Sequence, residues 1–447
     1  MIDSSLFHGR KAFYYTLGCK LNFSETASFA AQLEKLGVET LSESGGADLC
    51  LVNTCSVTAV ANQKCRQIIK RLVRENPDAF VVVTGCYAQL SPEEVARIGG
   101  VDLVLGSDEK ANLVQHLHDA LIARGQSTAA RSIAQGQTKD IQSFAPSCSR
   151  GNRTRYFLKV QDGCNYFCTY CTIPFARGFS RNPGIASLVA QAEQVVREGG
   201  KEIVLTGVNI GDFGQTTGES FLDLLRALDQ VEGIQRYRIS SIEPNLLTDE
   251  IIDFCAQSRA FMPHFHIPLQ SGSDEVLRLM HRRYNTELFA HKIYYIKERM
   301  REAFIGVDVM VGTRGERPEL FQECFDFLNG LDVTQLHVFP YSERPGTAAL
   351  RIPYIVSPEE KKRRAHELLQ LSEKKTHAFY ARHIGQEAEV LFERAAADKP
   401  MHGFTRNYLR AELPASVQNE QFDNQLVRVR LGNFNADATA LMAEIIK

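Results

Sequence analysis

The chain has 447 residues, 44% of them hydrophobic, and a formal net charge of −2, which is material for about three soluble globular domains and excludes a strongly basic nucleic-acid binder. No run of about 18 apolar residues offers a bilayer span, and Met1-Ile2-Asp3-Ser4-Ser5 lacks the basic-then-apolar pattern of a secretory signal, so a cytoplasmic protein with no membrane partner is expected. Thiols stay reduced in that compartment, so the eleven cysteines are read as free for metals or catalysis and not as a disulfide framework.

From Ala12 to Leu105, strand-like runs (Ala12–Leu17, Leu49–Asn53, Phe80–Thr84, Val101–Leu105) alternate with helical ones, which predicts βαβ units on a doubly wound parallel sheet. Ser91-Pro92-Glu93-Glu94 reads as a capping box. On the helix expected from Thr58 to Glu75, Cys65 shares a face with Ile68, Ile69, Leu72 and Val73, which makes it core packing. Cys19, Cys55 and Cys86 each fall just past a predicted strand. Parallel strands lie about 4.8 Å apart and end on one edge, so the topology brings these three thiols together. The alternative is three small buried residues at strand ends. Residues 124–149 lose large apolar side chains and read as a linker in which Cys148 is incidental.

A buried strand expected at Tyr156–Val160 runs into Asp162-Gly163-Cys164-Asn165-Tyr166-Phe167-Cys168-Thr169-Tyr170-Cys171. The spacing C-x3-C-x2-C suits three irons of a cubane cluster, leaving the fourth iron open to chelate a small ligand, with Tyr170 placed to cover one side. Three buried or disulfide-bonded cysteines are the alternative. Further strands are expected at Glu202–Thr206, Tyr237–Ser241, Phe265–Pro268, Ile305–Val311 and Thr334–Phe339. Helices between them include Ser187–Glu198 and Thr248–Ser258, each opened by a capping hydroxyl. Six βα units predict an open, partial (β/α)6 barrel with its chemistry at the C-terminal mouth. After a helix at Pro358–His383, short runs (Ala388–Phe392, Tyr408–Leu413, Leu426–Arg430, Ala438–Ile445) predict a small β-barrel of about 65 residues, in which Phe404, Tyr408 and Phe434 serve either RNA or the core.

The three-cysteine loop resembles that of the radical S-adenosylmethionine (SAM) superfamily, which implies reductive cleavage of SAM at the open iron to a 5′-deoxyadenosyl radical. Over nearly the whole chain the resemblance narrows to the methylthiotransferases. It implies an N-terminal domain at 1–123 with a second 4Fe-4S cluster on Cys19 (Gly18-Cys19-Lys20-Leu21-Asn22), Cys55 (Asn53-Thr54-Cys55) and Cys86 (Gly85-Cys86-Tyr87-Ala88-Gln89). It further implies a linker at 124–149, a radical SAM domain at 150–379 whose cluster sits on Cys164, Cys168 and Cys171, and an RNA-binding TRAM-like barrel at 380–447. Thr16–Asn22, Asn53–Thr58 and Asp162–Asn165 look most like the branch acting on threonylcarbamoyladenosine in tRNA. Such an enzyme replaces the C2–H of the adenine at position 37 with a methylthio group, using two 4Fe-4S clusters, SAM, an electron donor and a sulfur source.

The resemblance also implies SAM contacts at Tyr170, Thr206, Gly207, Asn209, Ser241, Glu243 and Gln270. For the polar strand-end residues, capping or turn formation is an equal alternative. Where many relatives carry Gly-Phe-Pro-Gly-Glu-Thr, this chain has Gly312-Thr313-Arg314-Gly315-Glu316-Arg317. Arg314 and Arg317 are candidate partners for the threonylcarbamoyl carboxylate, because an arginine fork matches a carboxylate. Arg278, Arg282, Arg283 and Lys361–Arg364 are candidate phosphate contacts or solvated helix faces. The rival readings are action on isopentenyladenosine in tRNA, action on a ribosomal-protein aspartate, and a non-enzymatic iron-sulfur or RNA-binding protein.

Overall fold

In the computed structural model, residues 2–126, 132–149, 154–396 and 398–446 are described. Two compact units are formed: Met1–Gly151 with Lys159–Pro183 and Ser342–Thr347, and Asn152–Leu158 with Gly184–Tyr341 and Ala348–Lys447. The three-cysteine loop thus falls in the same compact unit as the N-terminal residues.

The first unit is built on a six-stranded sheet of order β2-β1-β3-β4-β5-β6, from β1 (Lys11–Thr16), β2 (Glu39–Thr40), β3 (Leu49–Thr54), β4 (Phe80–Gly85), β5 (Leu103–Leu105) and β6 (Ser132–Ala134). Neighbouring strands pair in parallel throughout. The unbroken apolar runs in β3 and β4 arise because both faces are covered. Cys50, Val52, Val81, Val83 and Val104 pack with Cys65, Ile68, Ile69 and Leu72 of the helix Ala59–Glu75. The alternate residues Leu49, Leu51, Phe80, Val82 and Leu103 pack with Phe29 and Leu33 and with Leu113, Leu117 and Leu121 on the other face. This is the doubly wound sheet expected, with Cys65 in its core.

Two local expectations need correction here. The segment read as a featureless linker contributes the edge strand β6 and a 3-10 turn at Thr138–Asp140; residues 127–131 of that segment lie outside the described residues. Ser91 precedes the helix Pro92–Ala96 with proline in its first turn, but at φ −146° and ψ 55° its hydroxyl makes no cap bond, so there is no capping box.

The second unit carries β7 (Arg155–Lys159), β8 (Glu202–Thr206) and β9 (Arg236–Ile239) in one sheet and β10 (His264–Gln270), β11 (Phe304–Val311) and β12 (Gln335–Pro340) in another. The pairs β8/β9, β10/β11 and β11/β12 are parallel, and a bridge between Ser241 and His266 links the two sheets, giving the six strands of a partial barrel. Thr248 caps its helix by accepting from the Ile251 N–H, as expected. The helix read from Ser187 begins instead at Ile185, whose N–H is taken by the Glu219 carboxylate (3.1 Å), so no hydroxyl opens it. The last residues close a barrel of order β13-β14-β15-β17-β16 from β13 (Glu387–Phe392), β14 (Met401–Thr405), β15 (Arg410–Leu413), β16 (Leu426–Phe434) and β17 (Leu441–Ile445). Strand β14 was not anticipated because Met-His-Gly-Phe-Thr has little β-branched character. Among the described residues, no helix is long and apolar enough to cross a membrane.

Candidate active site

Cys19, Cys55 and Cys86 stand just past β1, β3 and β4. The register Thr16–Asn53 and Thr54–Gly85 aligns those strand ends on one edge. Cys19 is the N-cap of the helix Lys20–Glu34, and Cys86 opens the helix Cys86–Leu90. Two glycines make the approach close. A Cβ on Gly18 (φ +106°) would lie 2.9 Å from Cys55 Cβ and 3.2 Å from its Sγ, and one on Gly85 (φ +99°) would overlap the Thr54 carbonyl oxygen. Buried Asn22 locks the edge: its Nδ2 donates to the carbonyls of Leu17 (2.7 Å) and Thr54 (3.1 Å), while its own carbonyl accepts from Asn53 Nδ2. Gln89 fixes the other end, accepting from the Ser107 N–H and donating to the Gly136 carbonyl. The asparagine and glutamine of the two motifs are therefore scaffolding for the thiols. Cys55 feels the charge of both Cys86 and Cys19, and burial pushes its own thiol up to about 12. Three thiols on one edge fit a cubane held by three of its irons; such a cluster must displace the Cys55 proton on binding.

The other trio lies on a loop pinned by backbone contacts. Asp162 and Arg181 form an antiparallel bridge, and the Cys164 N–H donates to the Gly178 carbonyl (3.0 Å). Gly163 (φ +71°) has no room for a side chain, since a Cβ would overlap the Phe179 carbonyl oxygen. The Tyr166 N–H points at Cys164 Sγ (3.5 Å) and the Ile173 N–H at Cys171 Sγ (3.4 Å), which places a backbone donor on each of these sulfurs. Cys168 is buried; Cys164 and Cys171 are half-buried, as is Tyr170 between Cys168 and Cys171.

Beneath this loop lies a buried ionic cluster within the same unit, and the sequence reading missed it. Glu25 accepts from Lys110 (2.6 Å), Arg177 (3.0 Å) and Lys159 (3.4 Å), and Asp162 accepts from Lys159 (2.7 Å), Arg177 (3.0 Å) and Arg181 (3.0 Å). No member exposes more than 6% of its side chain. Burial alone would raise the Glu25 carboxyl, yet Arg177, Lys110 and Lys159 hold it well below its ordinary range. The one local hint was Lys159 three residues before Asp162.

In the second unit, Thr206 ends β8, with Gly207 and buried Asn209 just beyond it. Ser241 and Glu243 follow β9, and Gln270 ends β10. Gln270 has φ +67°, and the β10/β11 register slips between Pro268 and Gln270, so a bulge re-aims this strand end. Ser241 Oγ meets His266 Nδ1 (2.9 Å), and His266 Nε2 meets Asp308 Oδ1 (2.7 Å). His266, Asp308 and His337 offer ligand atoms within 4.8 Å of one another, a cluster that three separated strands hide from sequence reading. Glu243 pairs with Arg282; burial keeps its carboxyl above the ordinary value despite that arginine.

Several basic candidates are already engaged. Arg282 and Arg364 are not phosphate contacts: their side chains are 2% and 0% exposed, and Arg364 serves Glu360 and the Glu316 carbonyl. Arg314 Nη1 donates to the Leu350 carbonyl (2.6 Å), and exposed Arg317 forks Glu275 (3.1 Å to each oxygen) and reaches Glu319 (2.6 Å). In the small barrel, Tyr408 packs on Phe404 (4.7 Å between centroids), His264 (4.3 Å) and the Arg238 guanidinium (4.9 Å), and Phe434 stacks on His377 (4.3 Å, 8°). These aromatics, each half-buried, join the barrel to β9, β10 and the helix Pro358–Ala381.

Residues 11–106 match the model of the uncharacterized protein family UPF0004, and residues 158–328 match that of the Radical SAM superfamily. Together with the two cysteine trios, these matches define a radical SAM enzyme with a second cysteine-bearing α/β domain. The solved structure of the radical S-adenosylmethionine methyltransferase TsrM from Kitasatospora setae shares the fold, with a TM-score of 0.56 and 19% identity over 76% of this chain and 74% of that one. The threonylcarbamoyladenosine tRNA methylthiotransferase MtaB of Bacillus subtilis (strain 168) is 36% identical over 427 residues, covering 94% of this chain and 93% of that protein. The tRNA-2-methylthio-N(6)-dimethylallyladenosine synthase of Finegoldia magna is 30% identical over 433 residues, covering 95% and 92%. The chain belongs to the radical SAM methylthiotransferase family, with the MtaB-type threonylcarbamoyladenosine tRNA methylthiotransferases.

Proposed function

We propose that this enzyme converts threonylcarbamoyladenosine at position 37 of tRNA to its 2-methylthio derivative. The observation that carries the reading is the convergence of Cys19, Cys55 and Cys86 on one sheet edge, in the same compact unit as the C-x3-C-x2-C loop. An adenine C2–H is neither acidic nor a leaving group, so acid/base chemistry cannot replace it with sulfur, whereas a carbon radical made from SAM can abstract its hydrogen. Cys164, Cys168 and Cys171 would hold the cluster that would supply the electron for SAM cleavage, and Cys19, Cys55 and Cys86 would hold the one that would present sulfur for insertion and methylation by a second SAM. An external electron donor and a sulfur source complete the reaction.

Thr206, Gly207, Asn209, Ser241, Glu243 and Gln270, at strand ends, and Tyr170 on the loop are the SAM contacts in this reading. The residues 380–447 form an RNA-binding barrel of TRAM type, and the base is turned out of its stack for reaction. Arg314 reads the threonylcarbamoyl carboxylate, with Arg317 as the second candidate once it releases Glu275 and Glu319. The identities of 36% and 30% favour threonylcarbamoyladenosine over dimethylallyladenosine.

The test offers purified, reconstituted protein two matched tRNAs, one carrying each modification, and reads the nucleosides by mass spectrometry. Product from the threonylcarbamoyl tRNA alone is expected, and equal activity on both would overturn the substrate assignment. Arg314→Gln should weaken that preference by about 1.5 to 3 kcal/mol, the worth of a charged hydrogen bond. An unchanged preference in both arginine variants would overturn the carboxylate contact only.

A further inference from the structure

The ionic cluster beneath the loop is out of balance. Four cations (Lys110, Lys159, Arg177 and Arg181) face two carboxylates (Glu25 and Asp162), all with side chains almost wholly buried. Two positive charges therefore exceed the carboxylates inside this set; Asp108, on the same cavity wall as Lys110, Lys159 and Arg181, offsets part of the excess, and the remainder is costly in a low-dielectric interior unless a further anion lies close to Arg177, which does not line that cavity. Arg177 points to where that anion is. Its Nη2 donates to Asn22 Oδ1 (2.6 Å), Cys19 Sγ lies 3.9 Å from the same oxygen, and Arg177 feels the charge of both Cys86 and Cys19. Through its other nitrogen it holds Asp162, two residues before Cys164.

We infer that Arg177, balanced by Glu25, is a positioning residue whose charge sets the reduction potential of the cluster held by Cys19, Cys55 and Cys86. The inference rests on the reading of those three cysteines as cluster ligands. A 4Fe-4S core with three thiolates is an anion, and it supplies the counter-charge that the two buried carboxylates leave wanting. The consequence lies in the electron balance of sulfur insertion. When the hydrogen of C2 has gone to 5′-deoxyadenosine, forming the carbon–sulfur bond from the C2 radical leaves one electron for the cluster irons to take up. A cation beside two of the three thiolates favours that uptake.

The experiment is a potentiometric titration, followed by electron paramagnetic resonance, of the anaerobically reconstituted full chain in which Cys164, Cys168 and Cys171 are alanine, so that only the second cluster reports. Glu25→Gln should raise its midpoint potential and Arg177→Gln should lower it, each by at least tenfold in the reduction equilibrium, ~59 mV for one electron. The double variant removes one charge of each sign and should return close to the starting value, and Arg177→Lys should stay near it too. A merely structural role predicts that the double variant is the most disturbed of all, and that result would overturn the inference. Should Arg177→Gln fail to fold, Glu25→Gln alone decides, because an unchanged or lowered potential contradicts the electrostatic role. If no cluster assembles in the parent background, the reading of Cys19, Cys55 and Cys86 as ligands falls, and the inference falls with it.

Discussion

The two cysteine trios reach a similar arrangement by opposite routes. Cys164, Cys168 and Cys171 are held by one loop, whose shape depends on a residue without a side chain at Gly163 and on short backbone bonds within residues 162–181. Cys19, Cys55 and Cys86 are held by three strands, and their spacing depends on sheet register, on Gly18 and Gly85 and on the Asn22 clamp. A loop site concentrates its risk in a few residues, while a sheet-edge site spreads it through the domain. Damage to the first should abolish chemistry at once, and damage to the second should separate the steps.

The largest effect is expected from Gly163→Ala. The left-handed conformation costs an alanine about 1–2 kcal/mol, and the overlap with the Phe179 carbonyl forces the loop to shift. Loss of SAM cleavage together with about half of the roughly eight irons should follow, read by 5′-deoxyadenosine formation and iron analysis. Gly85→Ala makes the matching cut at the sheet edge, where Cys86 must move away from Cys55. SAM cleavage should persist while methylthiolated nucleoside falls at least tenfold; equal loss of both activities would erase the distinction between the trios.

Asn22→Ala sharpens the comparison from the side of stability. It strips side-chain partners from Arg177 and from the Leu17 and Thr54 carbonyls, so a loss of about 1–3 kcal/mol is expected in denaturant unfolding of the cluster-free protein, since buried groups are left unsatisfied. The smallest effect lies in the second unit. Burial pushes the Glu316 carboxyl up to about 7 from an ordinary 4.5, although Arg364 and the N–H groups of Gly312 and Thr313 face it. The folded state then binds more protons than the unfolded one between those values, so stability falls as pH rises from about 4.5 to 7. Glu316→Gln should flatten that slope in thermal unfolding at pH 5, 6 and 7.

These contrasts also mark what was legible in the sequence. The loop trio was readable because its ligands lie within eight positions of one another, and the strand-end trio because alternating elements fix a parallel sheet whose ends coincide. The arginine cluster was not, since Glu25 and Arg177 are 152 positions apart and nothing local marks either as buried. Arg282 and Arg364 misled for the same reason: a basic residue on a helix reads as solvated until its carboxylate partner from another element is in place. Ser91 carried a cap's sequence without the backbone angles that a cap requires.

The central claim is that the two trios hold two clusters with separate tasks, and one assay addresses it directly. The variant with Cys19, Cys55 and Cys86 changed to alanine, shown to be folded and to retain about four irons, is given SAM, reductant and tRNA carrying threonylcarbamoyladenosine, and both products are measured from the same reaction. 5′-Deoxyadenosine should form and the 2-methylthio nucleoside should not. Undiminished methylthiolated product from that variant would contradict the account.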